Sequence, residues 1–169
     1  MKQAMIDYTK NKKHDHFDTP DYAVEPLLKY IDPEWVIWEP TDTTGKSRIS
    51  EMLRANGNKV ISTNKDSFDF LNREPDFWFD CIITNPPYTL KNEFIKRCIY
   101  FKMKWALLLP LTALEGVERR KLFNQISHSF GILVLDRRVE FTGGSVWFNT
   151  SWFCNKILPR QIIFTELNK

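Results

Sequence analysis

Short apolar runs alternate with amphipathic and polar segments along the whole chain. The apolar runs predict strands at 35–38, 59–63, 77–84, 105–109, 130–135, 145–154 and 161–165. Apolar positions at helical spacing predict helices at 22–31, 48–56, 92–102 and 112–127. The first strands and helices follow each other as a βαβ unit, so the sheet should be mainly parallel with right-handed crossovers.

The N-terminal part is different in character. Residues 1–16 lack hydrophobic periodicity and are predicted to form a flexible basic arm. The first helix is predicted to start at Pro20, with Thr19 or Asp18 as its cap. Because the rest of the chain contains no repeat and no linker long enough to divide it, 17–169 is predicted to be one domain without a separate target-recognition domain.

The strand predicted at 77–84 is followed directly by Asn85-Pro86-Pro87-Tyr88. Each proline fixes φ and lacks an N–H, so the strand must stop there, and Pro86 restricts Asn85 to extended conformations. Open α/β sheets bind ligands at the carboxyl ends of their strands. An asparagine amide with nearby carbonyls suits a planar amino group, and a tyrosine offers a flat face for a base.

This tetrapeptide resembles motif IV of the amino-group methyltransferases, which use S-adenosylmethionine and act on DNA adenine N6, RNA adenine N6 or protein glutamine N5. The resemblance implies an α/β fold of the Rossmann-like class I methyltransferase type, with a mostly parallel seven-stranded sheet and helices on both faces. It also implies that Asn85 and the Pro86 carbonyl accept hydrogens from the amine during direct methyl transfer. A target base in duplex DNA would have to be flipped out.

The loop Glu39-Pro40-Thr41-Asp42-Thr43-Thr44-Gly45 resembles motif I of the same family, Glu/Asp-Pro-x-x-Gly-x-Gly. Thr43 replaces the first glycine. A β-branched side chain at this position leaves less space for a ligand to come close to the loop backbone. The loop is also similar to a variant in phage methyltransferase-like proteins, which implies that Asp42 binds the methionine ammonium. The alternative is a helix cap with no ligand. A phosphate loop is excluded because Pro40 occupies a position that requires glycine.

Several shorter matches follow the order of the family's motifs. Asn64 stands where the family has an acid for the ribose, Asp69-Phe70 resembles motif III, and Trp152 falls in a segment, 151–154, that resembles motif VIII. Trp152, Trp147 and Phe148 have an alternative interpretation as β-core. The cofactor-binding residues implied by the resemblance are Phe17, Thr19, Pro20, Glu39, Pro40, Asp42, Gly45, Asn64, Asp69 and Phe70.

Charge and cysteine content add limited information. The net charge of +3 is small, but local basic clusters predict contacts to nucleic acid, with DNA preferred over RNA. The predicted nucleic-acid-binding residues are Lys12, Lys13, Arg119, Arg120, Arg138 and Trp152.

Three separated cysteines in apolar sequence indicate a reducing compartment, the cytoplasm of a bacterium or phage-infected host. We expect no metal site, no membrane span and no secretory signal.

The sequence therefore predicts methylation of adenine N6 in nucleic acid, with S-adenosylmethionine as cofactor, by a monomer or homodimer. Two alternatives remain open. The first is an inactive methyltransferase-like binding protein, which Thr43 and Asn64 favour because both depart from the family pattern. The second is an RNA adenine-N6 or protein glutamine-N5 methyltransferase.

Overall fold

The computed structural model describes residues 18–141, 144–145 and 148–167. The basic arm with Lys12 and Lys13 lies outside these residues, as do Phe17 and Trp147. The α-helices are α1 (Asp21–Leu28), α2 (Arg48–Ala55), α3 (Lys91–Phe101) and α4 (Val117–Asn124). Short 3-10 helices, Tyr88–Leu90 and Leu111–Leu114, precede α3 and α4.

The strands are β1 (Val36–Glu39), β2 (Lys59–Ser62), β3 (Cys81–Thr84), β4 (Lys104–Pro110), β5 (Phe130–Leu135), β6 (Glu140–Phe141), β7 (Gly144–Ser145), β8 (Thr150–Asn155) and β9 (Ile162–Thr165). Seven of them form one sheet in the order β2-β1-β3-β4-β8-β5-β9, while β6 and β7 pair with each other. Strand β8 alone runs antiparallel to its neighbours in the sheet. The predicted mostly parallel seven-stranded sheet is confirmed.

Helices cover both faces of this sheet, as predicted. On one face α1 and α2 bury residues such as Leu27 and Leu53 against the sheet. On the other face α3 and α4 bury residues such as Ile95 and Phe123. Strands β3 and β4 are almost continuously apolar because both of their faces are covered.

Four predicted elements differ from the observed ones. The predicted strand 145–154 is divided: Ser145 belongs to β7, outside the seven-stranded sheet, and the sheet strand β8 begins only at Thr150. The run 77–84 forms a strand only from Cys81, because Phe77 and Phe79 pack against Trp38 instead of extending the ladder. The predicted helix 112–127 is interrupted at Gly116, which has φ of 110°. Helix α1 starts at Asp21, and Pro20 precedes it without a side-chain cap, so the predicted cap by Thr19 or Asp18 is wrong.

Candidate functional site

The candidate site lies where β1 and β3, neighbours in the sheet, reach their carboxyl ends. Glu39 is the last residue of β1, and Thr84 is the last residue of β3. The Thr84 hydroxyl donates to Glu39 Oε1 over 2.5 Å. The loop after β1 therefore has a direct hydrogen-bonded connection to the strand that leads into the Asn85 loop.

The Glu39 carboxylate is buried, with 1% of its surface exposed. In addition to Thr84, it accepts hydrogen bonds from the Thr41 backbone N–H at 3.1 Å and the Thr41 hydroxyl at 2.8 Å. Burial raises the pKa of Glu39 to about 7, and the hydrogen bonds from Thr84 and Thr41 oppose that rise only in part. Glu39 therefore serves as the common acceptor that orders both loops.

The loop after β1 folds around Asp42, whose side chain is also buried. Asp42 Oδ1 accepts from the backbone N–H groups of Thr44 and Ser47, each at 3.1 Å, and Oδ2 accepts from the Ser50 hydroxyl at 2.7 Å. Burial alone would raise the pKa of Asp42, but the hydrogen bonds, led by that from Ser50, lower it overall. This carboxylate holds the loop against the first turn of α2.

Replacing Asp42 should consequently loosen the loop. We expect Asp42→Ala to lower the free energy of unfolding by about 2 kcal/mol, because several buried donors lose their acceptor. Chemical denaturation measures this loss, and Asp76→Ala, which removes an exposed aspartate, is the matched control. An Asp42→Ala protein as stable as the control would contradict this role.

Asn85 lies directly beside this loop. Its Nδ2 donates to the Thr19 hydroxyl at 3.1 Å, and the Thr41 hydroxyl is 3.5 Å from the Asn85 carbonyl oxygen. A cavity of about 220 Å³ is lined by Asn85, Thr19, Asp42 and residues of the α2 N-terminus. Residue 85 therefore shares one cavity with the loop after β1.

A larger cavity, of about 510 Å³, lies on the other side of the same loop. Thr41 and Thr43 line both cavities, so the loop separates them. The larger cavity is lined by Asn64, Asp69 and Phe70, and by Pro87 after motif IV. The structure therefore brings the predicted motif I, III and IV residues together around two adjoining cavities.

The two polar residues of the larger cavity also stabilise local turns. Asn64 Oδ1 accepts from the backbone N–H groups of Asp66 and Ser67, and Asn64 Nδ2 lies 3.4 Å from the Thr43 carbonyl oxygen. Asp69 accepts from the Leu71 backbone N–H and from Asn72 Nδ2. The hydrogen bond from Asn72 is the main cause that lowers the pKa of Asp69.

An aromatic surface underlies the larger cavity. The rings of Phe70 and Phe94 are stacked, with centroids 4.9 Å apart and planes at 22°. Trp38 contacts Phe70 edge-on at 5.0 Å. Phe70 and Phe94 are only 3% and 4% exposed, so they give the larger cavity an apolar floor beside Asn64 and Asp69, and their ring faces are largely covered.

Two predicted base-contacting rings are buried in this structure. Trp152 has no exposed surface, belongs to the core cluster on the α1 face, and donates from Nε1 to the Ala23 carbonyl at 2.7 Å. The prediction that Trp152 contacts nucleic acid is therefore wrong, and its alternative interpretation as β-core is correct. Tyr88 is 5% exposed and lies edge-on to Phe148, with ring centroids 5.4 Å apart.

Among the described residues, the predicted basic residues Arg119, Arg120 and Arg138 line neither cavity. Arg119 is half-buried, and its guanidinium donates to Asn92 Oδ1 at 3.1 Å. Arg120 and Arg138 are exposed. Their contact with nucleic acid stays a prediction.

Within the described ranges, no cluster of His, Cys, Asp or Glu is suited to a metal, and no helix has the length and apolar character needed to cross a membrane.

Sequence reasoning missed several residues that build the site. Thr41 and Thr84 connect the loops through Glu39, while Leu90 and Phe94 line the larger cavity. A detectable signal existed for Thr84, because a polar residue ended an otherwise apolar strand directly before motif IV. No comparable signal marked Leu90 or Phe94, whose position depends on how α3 packs after the 3-10 turn.

The order of the strands, the single antiparallel strand and the cavities at the strand ends define a Rossmann-like class I methyltransferase fold. No protein-family model and no curated protein matches the sequence. Solved structures do resemble it.

One of these solved structures is the methyltransferase subunit of a type I restriction-modification system from Streptococcus thermophilus, with a TM-score of 0.52 and 12% identity over 95% of this chain and 50% of that chain. Another is a Listeria monocytogenes protein assigned as a class I S-adenosylmethionine-dependent methyltransferase, with a TM-score of 0.53 and 13% identity over 99% of this chain and 72% of that chain. The chain spans about half the length of the restriction-modification subunit it resembles. At such identities the likeness establishes the fold.

Proposed function

We propose that this protein transfers the methyl group of S-adenosylmethionine to the exocyclic N6 amine of adenine in nucleic acid, with DNA as the preferred substrate. The observation that carries the proposal is the shared cavity of Asn85 and the loop after β1. The catalytic tetrapeptide thereby lies next to the loop that resembles motif I. Fold likeness to a restriction-modification methyltransferase subunit agrees with this substrate class.

The two cavities fit the two ends of the cofactor. The smaller one is polar, and its lining includes both acidic side chains (Asp18, Asp42) and basic side chains (Lys46, Arg48), which match the ammonium and the carboxylate of the methionine end in charge. The larger one combines an apolar floor with Asn64 and Asp69, which suits an adenosine. We assign the methionine end to the first cavity and the nucleoside to the second, with the connecting part crossing the loop at Thr41 and Thr43.

When bound, the cofactor supplies an electrophilic methyl group on sulfonium sulfur. The chain contributes position and hydrogen-bond acceptors. Asn85 Oδ1 and the Pro86 carbonyl accept the two amine hydrogens, so that the nitrogen lone pair points away from the base plane toward the methyl group. The bound cofactor would supply the methyl group to the amine nitrogen and would leave as the neutral thioether, and the methylated amine would release one proton to solvent. Pro86 and Pro87 limit the flexibility of this loop.

Asp42 has a role in this proposal that differs from direct ammonium binding. Its carboxylate already accepts hydrogen bonds from Thr44, Ser47 and Ser50. We infer that it shapes the cavity that receives the methionine end. Asp42→Ala should therefore weaken binding of S-adenosylmethionine more than binding of nucleic acid.

The exposed Thr43 offers a test of the cofactor path that leaves the core intact. We expect Thr43→Phe to raise the dissociation constant for S-adenosylmethionine by about tenfold or more, since a large ring between the cavities blocks the connecting part. Isothermal titration calorimetry measures the change. Thr112→Phe, also exposed but in neither cavity, is the control. Equal affinity in both variants would argue against this path.

The main alternative is a methyltransferase-like protein that binds without catalysing. Buried Tyr88 and the hydrogen bonds already accepted by Asn64 favour it, because the tyrosine ring is covered and the Asn64 amide oxygen already accepts from two backbone N–H groups. A tritiated methyl-transfer assay over single-stranded DNA, duplex DNA, RNA and a protein mixture separates the possibilities. Transfer to DNA supports the proposal, and transfer only to RNA or protein favours the other enzyme classes. Cofactor binding without any transfer favours the inactive protein.

A further inference from the structure

The charged side chains that line the smaller cavity differ in whether they already have partners. They are Asp18, Glu39, Asp42, Lys46 and Arg48. A charged ligand group binds best to a side chain that has no partner yet, because breaking an existing hydrogen bond or ion pair costs free energy. The contacts that these side chains already make therefore indicate which of them are available to a ligand.

Two of the acids, Glu39 and Asp42, already have partners. They are 1% and 2% exposed, and the oxygens of both carboxylates accept hydrogen bonds from hydroxyl and backbone N–H groups. Asp18 is different, because it is exposed and its carboxylate makes no hydrogen bond or ion pair with any of the described residues. Asp18 is therefore the acid of this lining that is available to a positively charged group.

The two basic side chains differ in the same way. The Arg48 guanidinium donates from Nε and Nη2 to the two carboxylate oxygens of Asp21, at 2.8 and 2.6 Å, and from Nη1 to Glu51 Oε2 at 2.7 Å. The exposed Lys46 donates only from its backbone N–H, to the Thr44 hydroxyl at 3.1 Å, and its ammonium has no partner among the described residues. Lys46 is therefore the base that is available to a negatively charged group.

The chain brings Asp18 and Lys46 to this cavity from two different segments. Asp18 directly precedes Thr19, whose hydroxyl accepts from Asn85 Nδ2 at 3.1 Å. Lys46 directly precedes Ser47, the N-cap of α2. An ion pair between the first turns of α1 and α2 joins the two segments. Because Asp18 and Lys46 are not paired with each other, a ligand that carries one charge of each sign can lie between them.

We propose that Asp18 and Lys46 recognise the amino-acid end of S-adenosylmethionine, with Asp18 accepting from the ammonium and Lys46 donating to the carboxylate. This inference rests on the proposed function, because it assigns the two side chains to the cofactor site. The pair selects ligands that carry both charges and discriminates against nucleosides that lack them. It also supplies an acid for the ammonium from outside the loop after β1, in which Asp42 is already used to hold the loop together.

Truncated ligands test the two assignments separately. The full chain is titrated in a calorimeter with S-adenosylmethionine, with its decarboxylated form and with methylthioadenosine, which lacks the whole amino-acid end. Lys46→Met should raise the dissociation constant for S-adenosylmethionine by about tenfold and should not weaken the decarboxylated ligand, which has no carboxylate. Asp18→Asn should raise the dissociation constants of both by about tenfold, because both carry the ammonium. Neither variant should change the affinity for methylthioadenosine.

Both side chains are exposed and make no contacts that hold the fold together, so the variants should fold normally. Lys29→Met and Asp76→Asn, at exposed positions that line neither cavity, are the matched controls. A Lys46→Met protein that loses affinity equally for S-adenosylmethionine and its decarboxylated form would overturn the assignment of Lys46. Wild-type affinities in Asp18→Asn would overturn that of Asp18.

A methyl-transfer assay on the same wild-type protein separates this inference from the proposed function. The expected dependence on both side chains without any transfer would support the inference and contradict catalysis. Transfer by the wild type, with affinities for S-adenosylmethionine that neither variant changes, would support catalysis and overturn the inference. Absence of binding heat with all three ligands would overturn both.

Discussion

Asn85→Ala should lower the rate of methyl transfer by about a hundredfold to a thousandfold, the range seen when one positioned hydrogen-bonding group is removed from an active site. The side chain contributes the acceptor that orients the target amine, and alanine has none. The side chain also donates a hydrogen bond to the Thr19 hydroxyl, and a bond of this kind contributes about 1 kcal/mol to stability. Cofactor affinity and folding should therefore stay close to wild type.

Two further variants make this result interpretable. Asn124→Ala removes an exposed asparagine at the end of α4 and should keep wild-type activity. Asn85→Asp keeps an acceptor oxygen at the same position and should retain more activity than Asn85→Ala. Single-turnover transfer of tritiated methyl, with cofactor saturating, measures the chemical step. Wild-type turnover in Asn85→Ala would remove Asn85 from the proposed site.

The sequence predicted strands β3 and β4 because both are buried on both faces and are apolar along most of their length. Helix α2 was equally clear, since Ile49 and Leu53 repeat on one face. The error at 77–80 has a physical origin. Phe77 and Phe79 have high strand propensity, but their rings gain more by packing around Trp38 than they would in a longer ladder.

Site residues could be predicted where their position follows from the neighbouring sequence. They were missed where their contacts depend on tertiary packing. Asn85 follows its strand directly, so its place at the sheet edge could be read from the sequence. The hydrogen bonds of Asp42 could not, because Ser50 reaches it only after α2 has docked. For Trp152 the sequence match was misleading. The match predicted a ring that contacts a base, but the ring is buried where β8 packs against α1.

Glu39 should make the free energy of unfolding depend on pH. Because its pKa is about 7 in the folded protein, against an ordinary 4.5, the folded state holds its proton more tightly than the unfolded state does. The resulting stability is fully present below pH 4.5 and is lost as the pH rises to about 7. Each pKa unit corresponds to about 1.4 kcal/mol, so the whole loss amounts to about 3 kcal/mol.

Glu39→Gln should remove this dependence, because an amide stays neutral at every pH in the range. We expect the unfolding free energy of the variant, relative to wild type, to rise by about 3 kcal/mol between pH 4.5 and 7 and to level off above it. Urea denaturation at intervals across this range measures the difference. Glu25→Gln, at an exposed position on α1, controls for the general loss of a carboxylate. A difference that stays constant with pH would mean that Glu39 is ionised throughout, and that Thr41 and Thr84 offset the cost of its burial.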